Sequence, residues 1–382
     1  MDFELTNRQK QIRLAAREFA EGELAVIGQE CEVKEEFPRE LIKKAAQLGF
    51  IGCFIKKEYG GLGLGFLEHA IIFEEFWRVD PGLGQVLVSV TFGAEELQLF
   101  GSEVLKKQYL PPLVKGDWMM GFSITEPEAG SDTSSAVTRA DLQGDEYVIN
   151  GNKVMITNGT VANFLLVYCL TNPEVTSKSK RHSILLVETN REGYKADKIH
   201  RKMGIRASDT ANVYFNNVRV PKENLVGVEG NGFVQLMKFF DHSRCYVAAH
   251  GVGLAQGALE QAVNYVKKRK QFGQTIGSFQ VTQFKIAEMA TLIETARSLV
   301  HKASWNLDRG NPDTQLSAMA KWWACNVAVR VVDEALQLHG GYGYLEDYPI
   351  ERFYRAAKIL EIYEGTKEID KIAIGRRILG PV

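Results

Sequence analysis

The chain of 382 residues is longer than one ordinary domain, so we expect two or three structural units. Hydrophobic residues make up 45% and charged residues 24%, which is the balance of a soluble globular protein. With 46 basic and 47 acidic residues the net charge is -1, so no overall field attracts nucleic acid or an anionic membrane surface.

The cysteines and the first segment indicate the compartment. Five dispersed cysteines without a CxxC pair favour buried thiols in a reducing compartment over a disulfide framework. The segment MDFELTNRQKQIRLAAREF alternates charged and apolar residues as an amphipathic helix does, without the apolar core of a signal peptide. No stretch approaches the roughly 18 to 20 apolar residues that span a bilayer. We therefore expect a cytoplasmic protein with no membrane insertion.

The first part of the chain, from Thr6 to about Lys115, has a helical pattern. Leu41, Ala45 and Leu48 recur at the helical period, and Thr6 with Gln9 predicts a capping box. The glycine-rich segment 59–65 does not match GxGxxG and lacks a strand–turn–helix frame. We predict an N-terminal α-helical domain over residues 1–118.

The middle part, residues 119–228, is typical of a β domain. Tyr147–Ile149 and Lys153–Ile156 flank Asn150-Gly151-Asn152, which predicts a hairpin with Asn-Gly in the turn. Further short apolar runs occupy residues 164–170, 182–187 and 212–220. About six such strands without a long helical pattern predict a small barrel or sandwich.

The last part, residues 229–382, is helical again. Periodic stretches cover residues 241–269, 279–309, 314–338 and 349–359, with glycines between them. Four long amphipathic helices with short links predict a four-helix bundle. The predicted fold class is therefore α+β and multidomain: a helical domain, a β-barrel and a helical bundle.

Two polar segments stand beside apolar runs, and the residues alone leave two interpretations of each. Segment 123–132 (SITEPEAGSD) is either a surface turn or a loop that binds a polar or phosphate-bearing ligand. Glu364, beside Gly365, is either a helix-end acid or a base directed from a helix break into a cavity. The seven histidines show no HxxxH or HExxH spacing, so no metal site is predicted. Neither a GxSxG elbow nor a Walker loop occurs.

Eight collinear motifs together resemble those of the acyl-CoA dehydrogenase family. The motifs are YGGLG (59–63), ITEPEAGSD (124–132), ITNG (156–159), KMGIR (202–206), GNGF (230–233), RKQFG (269–273), QLHGG (337–341) and IYEGT (362–366). One of them alone would be weak, but the ordered set covers nearly the whole chain and is specific.

The resemblance implies one FAD in each subunit of a homotetramer, with the flavin between the barrel and the C-terminal bundle. It assigns FAD-binding positions to Phe122, Ile124, Thr125, Thr157, Arg269, Phe272, Gln280, Gln337, Gly341 and Thr366. Of these, Arg269, Phe272, Gln280, Gln337 and Gly341 would reach the FAD of a neighbouring subunit. Ser131, Asp241 and Arg244 would bind the CoA part of the substrate.

Glu364 matches the catalytic base of the family, which removes a Cα proton while a hydride passes from Cβ to the flavin. Desolvation by substrate would raise the pKa of this carboxylate, and hydrogen bonds to the thioester oxygen would stabilise the enolate. Three positions depart from common family patterns: Met155 replaces a frequent tryptophan, Glu368 a frequent glutamine, and Ser243 stands where some members keep their base. The base position is therefore that of medium- and short-chain members.

The leading hypothesis is an acyl-CoA dehydrogenase that passes electrons to an electron-transfer flavoprotein. The alternatives are an enoyl-CoA reductase or oxidase of the same fold, and a non-catalytic acyl-CoA-binding protein. Small and medium apolar residues around positions 85–97 favour a short, branched or cyclic acyl group such as cyclohexanecarboxyl.

Overall fold

The computed structural model describes residues 4–380, and its first region is helical as predicted. A π-helical turn, Ala20–Leu24, joins the first two of the helices, which are α1 (Asn7–Phe19), α2 (Ala25–Lys34), α3 (Arg39–Gln47), α4 (Phe66–Val79), α5 (Pro81–Ser89), α6 (Ala94–Phe100) and α7 (Glu103–Val114). The predicted capping box is confirmed, because Thr6 Oγ1 accepts from Gln9 N at 3.2 Å and Thr6 N donates to Gln9 Oε1 at 3.0 Å. Residues 1–3 and 381–382, the ends of the predicted terminal domains, lie outside the described residues.

The middle region forms one sheet of eight strands within the described residues. They are β1 (Met120–Ser123), β2 (Arg139–Gln143), β3 (Glu146–Thr157), β4 (Phe164–Leu170), β5 (His182–Glu188), β6 (Tyr194–Lys198), β7 (Thr210–Pro221) and β8 (Leu225–Val226). Their order is β6-β7-β3-β2-β4-β5-β8, and β1 runs parallel to β4. The hydrogen-bonded path ends at β6 and β8, so closure into a barrel stays a prediction.

The predicted hairpin at Asn150-Gly151-Asn152 is wrong. These residues lie inside the continuous strand β3, where Gly151 has φ 147° and the register with β7 shifts. A side chain there would clash, because a Cβ on Gly151 would lie 2.7 Å from Thr138 Cα. The glycine therefore marks a β-bulge. The turn that does join β2 to β3 contains Gly144, which has φ 65°.

The C-terminal region contains the four predicted helices and one more. They are α8 (Gly232–Val266), α9 (Gln280–Asp308), α10 (Thr314–His339), α11 (Ile350–Leu360) and α12 (Lys367–Leu379), with a short hairpin of β9 (Lys270–Gln271) and β10 (Gln274–Thr275) between α8 and α9. The helical–sheet–helical fold class is confirmed. Among the described helices, none is both long and apolar enough to cross a membrane.

Close backbone packing fixes α8 against α4. A Cβ on Gly253 would lie 2.2 Å from Glu74 O, and one on Gly257 would lie 2.0 Å from Arg78 O. Beside these contacts the rings of Trp77 and His250 stack, with centroids 4.6 Å apart. Because only glycine permits such an approach, α8 is held at one position relative to the N-terminal region.

The beginning of α4 is capped from the other end of the molecule. Asp308, the last residue of α9, accepts hydrogen bonds from Phe66 N at 2.5 Å and from Leu67 N at 3.0 Å. Gly65 leaves room for that carboxylate, since a Cβ there would lie 2.4 Å from Asp308 Oδ2. This long-range cap links the N-terminal and C-terminal helical regions.

We predict that Asp308→Ala destabilises the fold by about 1 to 2 kcal/mol, because two N–H groups in the first turn of α4 lose their acceptor. Thermal unfolding followed by circular dichroism measures the effect. Asp333→Ala, an exposed aspartate on α10, is the control and should leave the melting temperature nearly unchanged. Equal melting temperatures for the two variants would show that the cap contributes nothing.

Candidate active site

Glu364 lies in the break between α11 and α12, in a strained backbone conformation. Its φ is 55° and that of Gly365 is 96°, so two consecutive residues are left-handed. A glutamate in this region costs about 1 to 2 kcal/mol and persists only where its surroundings enforce it. Lys367 N bridges the break by donating to Glu361 O at 3.1 Å, and Thr366 caps α12 through Ile369 N. The break turns the Glu364 side chain towards α8.

The Glu364 carboxylate is partly exposed and held by one donor. Ser243 Oγ, on α8, donates to Glu364 Oε2 at 2.5 Å. Burial raises the pKa of Glu364 to about 7, against the lowering effects of Ser243 and of the cations Lys321 and Arg244. A carboxyl group with a pKa near neutrality is suited to take and release a proton at physiological pH.

A buried charged cluster braces the backbone behind Glu364. Lys321, from α10, donates to the carbonyl of Gly365 and lies 3.3 Å from Asp370 Oδ2. Arg244 Nε lies 3.3 Å from Asp370 Oδ1 on the other side. The side chains of Lys321 and Asp370 are 0% exposed, and that of Arg244 is 7% exposed. Two cations around one carboxylate leave a net positive charge behind Glu364.

The backbone N–H groups at the break are free to bind a ligand. Within residues 4–380, those of Glu364 and Gly365 donate to no protein acceptor. Unpaired donors beside a carboxylate of raised pKa can stabilise an oxyanion that develops next to that carboxylate.

The first group of predicted flavin residues comes together at one edge of the sheet. Thr125 O accepts from Val154 N at 2.9 Å, which places the loop after β1 beside the end of β3. The hydroxyls of Thr125 and Thr157 are partly exposed and make no hydrogen bond with the described residues. Met155 lies between them in chain order, 65% exposed and with φ 59°. Free hydroxyls beside an uncovered apolar side chain fit the polar edge and flat face of a flavin ring.

Phe122 and Ile124 lie deeper, next to that edge. Phe122 packs edge-on against Phe239 at 5.0 Å. The carbonyl of Ile124 accepts from Lys153 Nζ at 2.8 Å, and Lys153 also pairs with Glu126 at 2.9 Å. This buried lysine holds the loop in place.

The second group of predicted flavin residues lies around the turn between α8 and α9. Arg269 stacks over the ring of Tyr342, which follows Gly341, at 5.4 Å. Phe272 is 91% exposed and lies near Phe279, which precedes Gln280. Gln337 is exposed near the end of α10. The surface location of this group is consistent with the predicted contact with a neighbouring subunit.

Two of the predicted CoA residues, Asp241 and Arg244, are neighbours on α8, and the third lies in a loop of the middle region. Ser131 is exposed in the loop after β1. Asp241 Oδ2 accepts from Thr314 Oγ1 at 3.0 Å. Arg244 is 5% exposed and faces Asp370 and the ring of Phe240. The predicted CoA contacts of these residues stay predictions.

Sequence reasoning missed two residues that brace Glu364, and it noted Ser243 only as a departure from the family pattern. Lys321 had a detectable signal, because it lies within the apolar segment Ala318-Met-Ala-Lys-Trp-Trp-Ala324, where a lysine that is buried needs a partner. Asp370 had none, because an acid in the first turn of a helix is ordinary. Among the described residues, no cluster of three or more His, Cys, Asp or Glu side chains could hold a metal ion.

Comparison with known proteins identifies relatives over the full length. Models of the acyl-CoA dehydrogenase N-terminal, middle and C-terminal domains match residues 6–117, 121–218 and 230–379. A short-chain-specific acyl-CoA dehydrogenase of Clostridium acetobutylicum is 43% identical and is aligned over 99% of this chain and 100% of its own. An NADH-dependent acryloyl-CoA reductase of Anaerotignum propionicum is 42% identical over 99% of this chain and 96% of its own.

A solved structure agrees over the same length. It is described as an electron-transferring flavoprotein of Acidaminococcus fermentans and has 42% sequence identity to this chain. The two superpose with a TM-score of 0.97, covering 100% of each chain.

We predict that Ser243→Ala raises the pKa of Glu364 further, by about 1 unit, because the ionised carboxylate loses its donor. Infrared titration of protein with ¹³C-labelled glutamate measures the protonated carboxyl directly. Ser304→Ala is the control, since Ser304 is equally buried but its hydroxyl has no partner within residues 4–380. A lowered or unchanged pKa in Ser243→Ala would contradict the role given to that hydrogen bond.

Proposed function

Because the chain belongs to the acyl-CoA dehydrogenase family, we propose that Glu364 is the base that removes the Cα proton of a short-chain acyl-CoA. The chain is an FAD-dependent oxidoreductase of this family. Its family reaction is acyl-CoA dehydrogenation or the reverse, enoyl-CoA reduction. The observation that carries the proposal is the free N–H of Glu364 beside a carboxylate whose pKa burial raises to about 7.

The base and the N–H groups act on neighbouring atoms of a thioester. A thioester whose oxygen accepts from the N–H groups of Glu364 and Gly365 has its Cα next to the Glu364 carboxylate. The proton then goes to a carboxylate of raised pKa, and the negative charge on oxygen meets preorganised donors. Further desolvation by the bound acyl chain raises the pKa of Glu364 again and increases its basicity.

The residues that would hold FAD are the two groups described above. Thr125 and Thr157 would bind the polar edge of the ring, with Met155 against its face, and Thr366 would contact it from the break after Glu364. FAD supplies the hydride acceptor at Cβ, a chemistry that no side chain provides. The exposed Phe272 and the partly exposed Arg269 would belong to the FAD site of a second subunit, as in the homotetramer that the family resemblance implies.

The substrate proposal follows the relatives. One is specific for short chains and the other reduces the three-carbon acryloyl-CoA, so a short linear acyl group is favoured over branched or cyclic ones. The reductase also makes enoyl-CoA reduction the second candidate. The description of the Acidaminococcus structure concerns electron transfer by a flavoprotein, and we propose an electron-transfer flavoprotein as the partner of this chain.

We predict that Glu364→Gln keeps FAD and binds acyl-CoA but loses turnover by about 10³-fold or more, because the amide cannot accept the proton. Anaerobic bleaching of the flavin by butyryl-CoA measures the loss directly. Glu346→Gln, an exposed acid before α11, should bleach at the wild-type rate. Bleaching of Glu364→Gln within tenfold of wild type would remove Glu364 as the base.

We predict that butyryl-CoA is oxidised faster than isobutyryl-CoA or cyclohexanecarboxyl-CoA with an artificial electron acceptor. Steady-state kcat/KM for the three substrates tests the acyl preference. The same protein with crotonyl-CoA and a chemical reductant tests the reverse direction. A cyclohexanecarboxyl-CoA rate above the butyryl-CoA rate would overturn the short linear assignment.

A further inference from the structure

One face of α8 holds two carboxyl groups from two different elements. Ser243 donates to Glu364, and Tyr246 Oη donates to Glu95 Oε1 at 2.8 Å. Ser243 and Tyr246 are three residues apart, so they are neighbours on one helix face, with Cβ atoms about 5 to 6 Å apart. Glu95 comes from α6 and Glu364 from the α11–α12 break, so α8 brings the two acids together.

Glu95 is buried in a way that ordinary packing does not explain. Glu95 is 1% exposed, and its Oε2 atom has no hydrogen-bond partner within residues 4–380. No lysine, arginine or histidine of that part of the chain forms an ion pair with it. A carboxyl group this deeply buried without a cation partner is costly to ionise, which favours its neutral form.

We propose that Glu95 is a positioning residue for the proton transfer, because it shares ionisation with Glu364 through the Ser243–Tyr246 face of α8. The inference rests on the proposed role of Glu364 as the base. Near neutral pH the pair then carries one negative charge, and ionisation of either acid opposes ionisation of the other. A neutral Glu95 favours the carboxylate form of Glu364 that accepts the substrate proton.

The charges around the pair are consistent with this coupling. Burial raises the pKa of Glu95 to about 7; Tyr246 opposes that shift and the charge of Glu364 adds to it. Glu364 faces the cations Lys321 and Arg244 and the acid Asp370 on its other side. These cations stabilise the negative charge on Glu364 rather than on Glu95.

The adjacent acid, Glu96, provides a matched control. It is 0% exposed, and burial raises its pKa to about 8. Its partner is Gln235 Nε2 at 3.1 Å, and Gln235 precedes Tyr246 by 11 residues on α8. Eleven residues correspond to about 16 Å along a helix, so Gln235 holds the Glu96 carboxyl towards the start of α8. Glu96 meets the charge of its neighbour Glu95 but forms no hydrogen bond with Ser243 or Tyr246 within residues 4–380.

The test compares the pH dependence of flavin bleaching by butyryl-CoA in wild type, Glu95→Gln and Glu96→Gln holoenzymes. In wild type the bleaching rate should fall gradually towards low pH, giving a broad acid limb in the pH profile, because two coupled groups titrate. In Glu95→Gln it should move to lower pH by about half a unit and sharpen to a single proton, since the competing charge is gone. Glu96→Gln should keep the wild-type limb.

Infrared titration with ¹³C-labelled glutamate gives a second readout that does not depend on turnover. Glu95→Gln should remove one protonated carboxyl band near neutral pH and lower the midpoint of another. The coupling is absent if Glu95→Gln and Glu96→Gln show the same acid limb in the pH profile of bleaching. The midpoints of their remaining carboxyl bands would then also be the same. That result leaves the base assignment intact if Glu364→Gln is inactive, whereas an active Glu364→Gln overturns the base assignment itself.

Discussion

The site depends on the buried contact between Lys321 and the Gly365 carbonyl, next to Asp370. Glu364 and Gly365 both have left-handed backbone angles, which an unsupported chain of L-residues avoids. Lys321 comes from α10 and Asp370 from α12, so their ion pair joins the two sides of the break. Lys321 thereby holds the carbonyl of Gly365 in the left-handed break from which Glu364 reaches Ser243 on α8.

The same cluster sets the electrostatic balance of the base. Burial favours the neutral carboxyl, whereas Lys321, Arg244 and the Ser243 hydroxyl favour the carboxylate. Burial is the larger effect, because it raises the pKa of Glu364 to about 7, while the two cations and the hydroxyl keep that pKa from rising further. A base fully paired with a cation would be too weak to remove a carbon-bound proton, and an isolated buried acid would never ionise. Lys321, Arg244 and Asp370 therefore affect the pKa of Glu364 as well as the backbone conformation that positions it.

Much of this architecture could be predicted from the sequence because its signals are local. Helical periodicity located the long helices, and the eight motifs located the Thr125–Thr157 edge and Glu364. The Asn150-Gly151 pair was misleading, because a positive-φ glycine marks a bulge as well as a turn and only the pairing with β7 distinguishes them. Helix α12 was missed because the break that carries Glu364 also hides the helix that follows it.

The contacts that make the site work are long-range, and no local pattern encodes them. Ser243 is 121 residues from Glu364, and Tyr246 is 151 residues from Glu95. What the sequence does contain is the reason why α8 can serve both: Gly253 and Gly257 admit the backbone of α4, and the Trp77–His250 stack fixes the rotation of the helix. A helix that cannot rotate keeps residues 243 and 246 on the face that meets both acids. The glycines of α8, two to four turns away, thus help to place Ser243 and Tyr246 against the two carboxyl groups, Glu364 and Glu95.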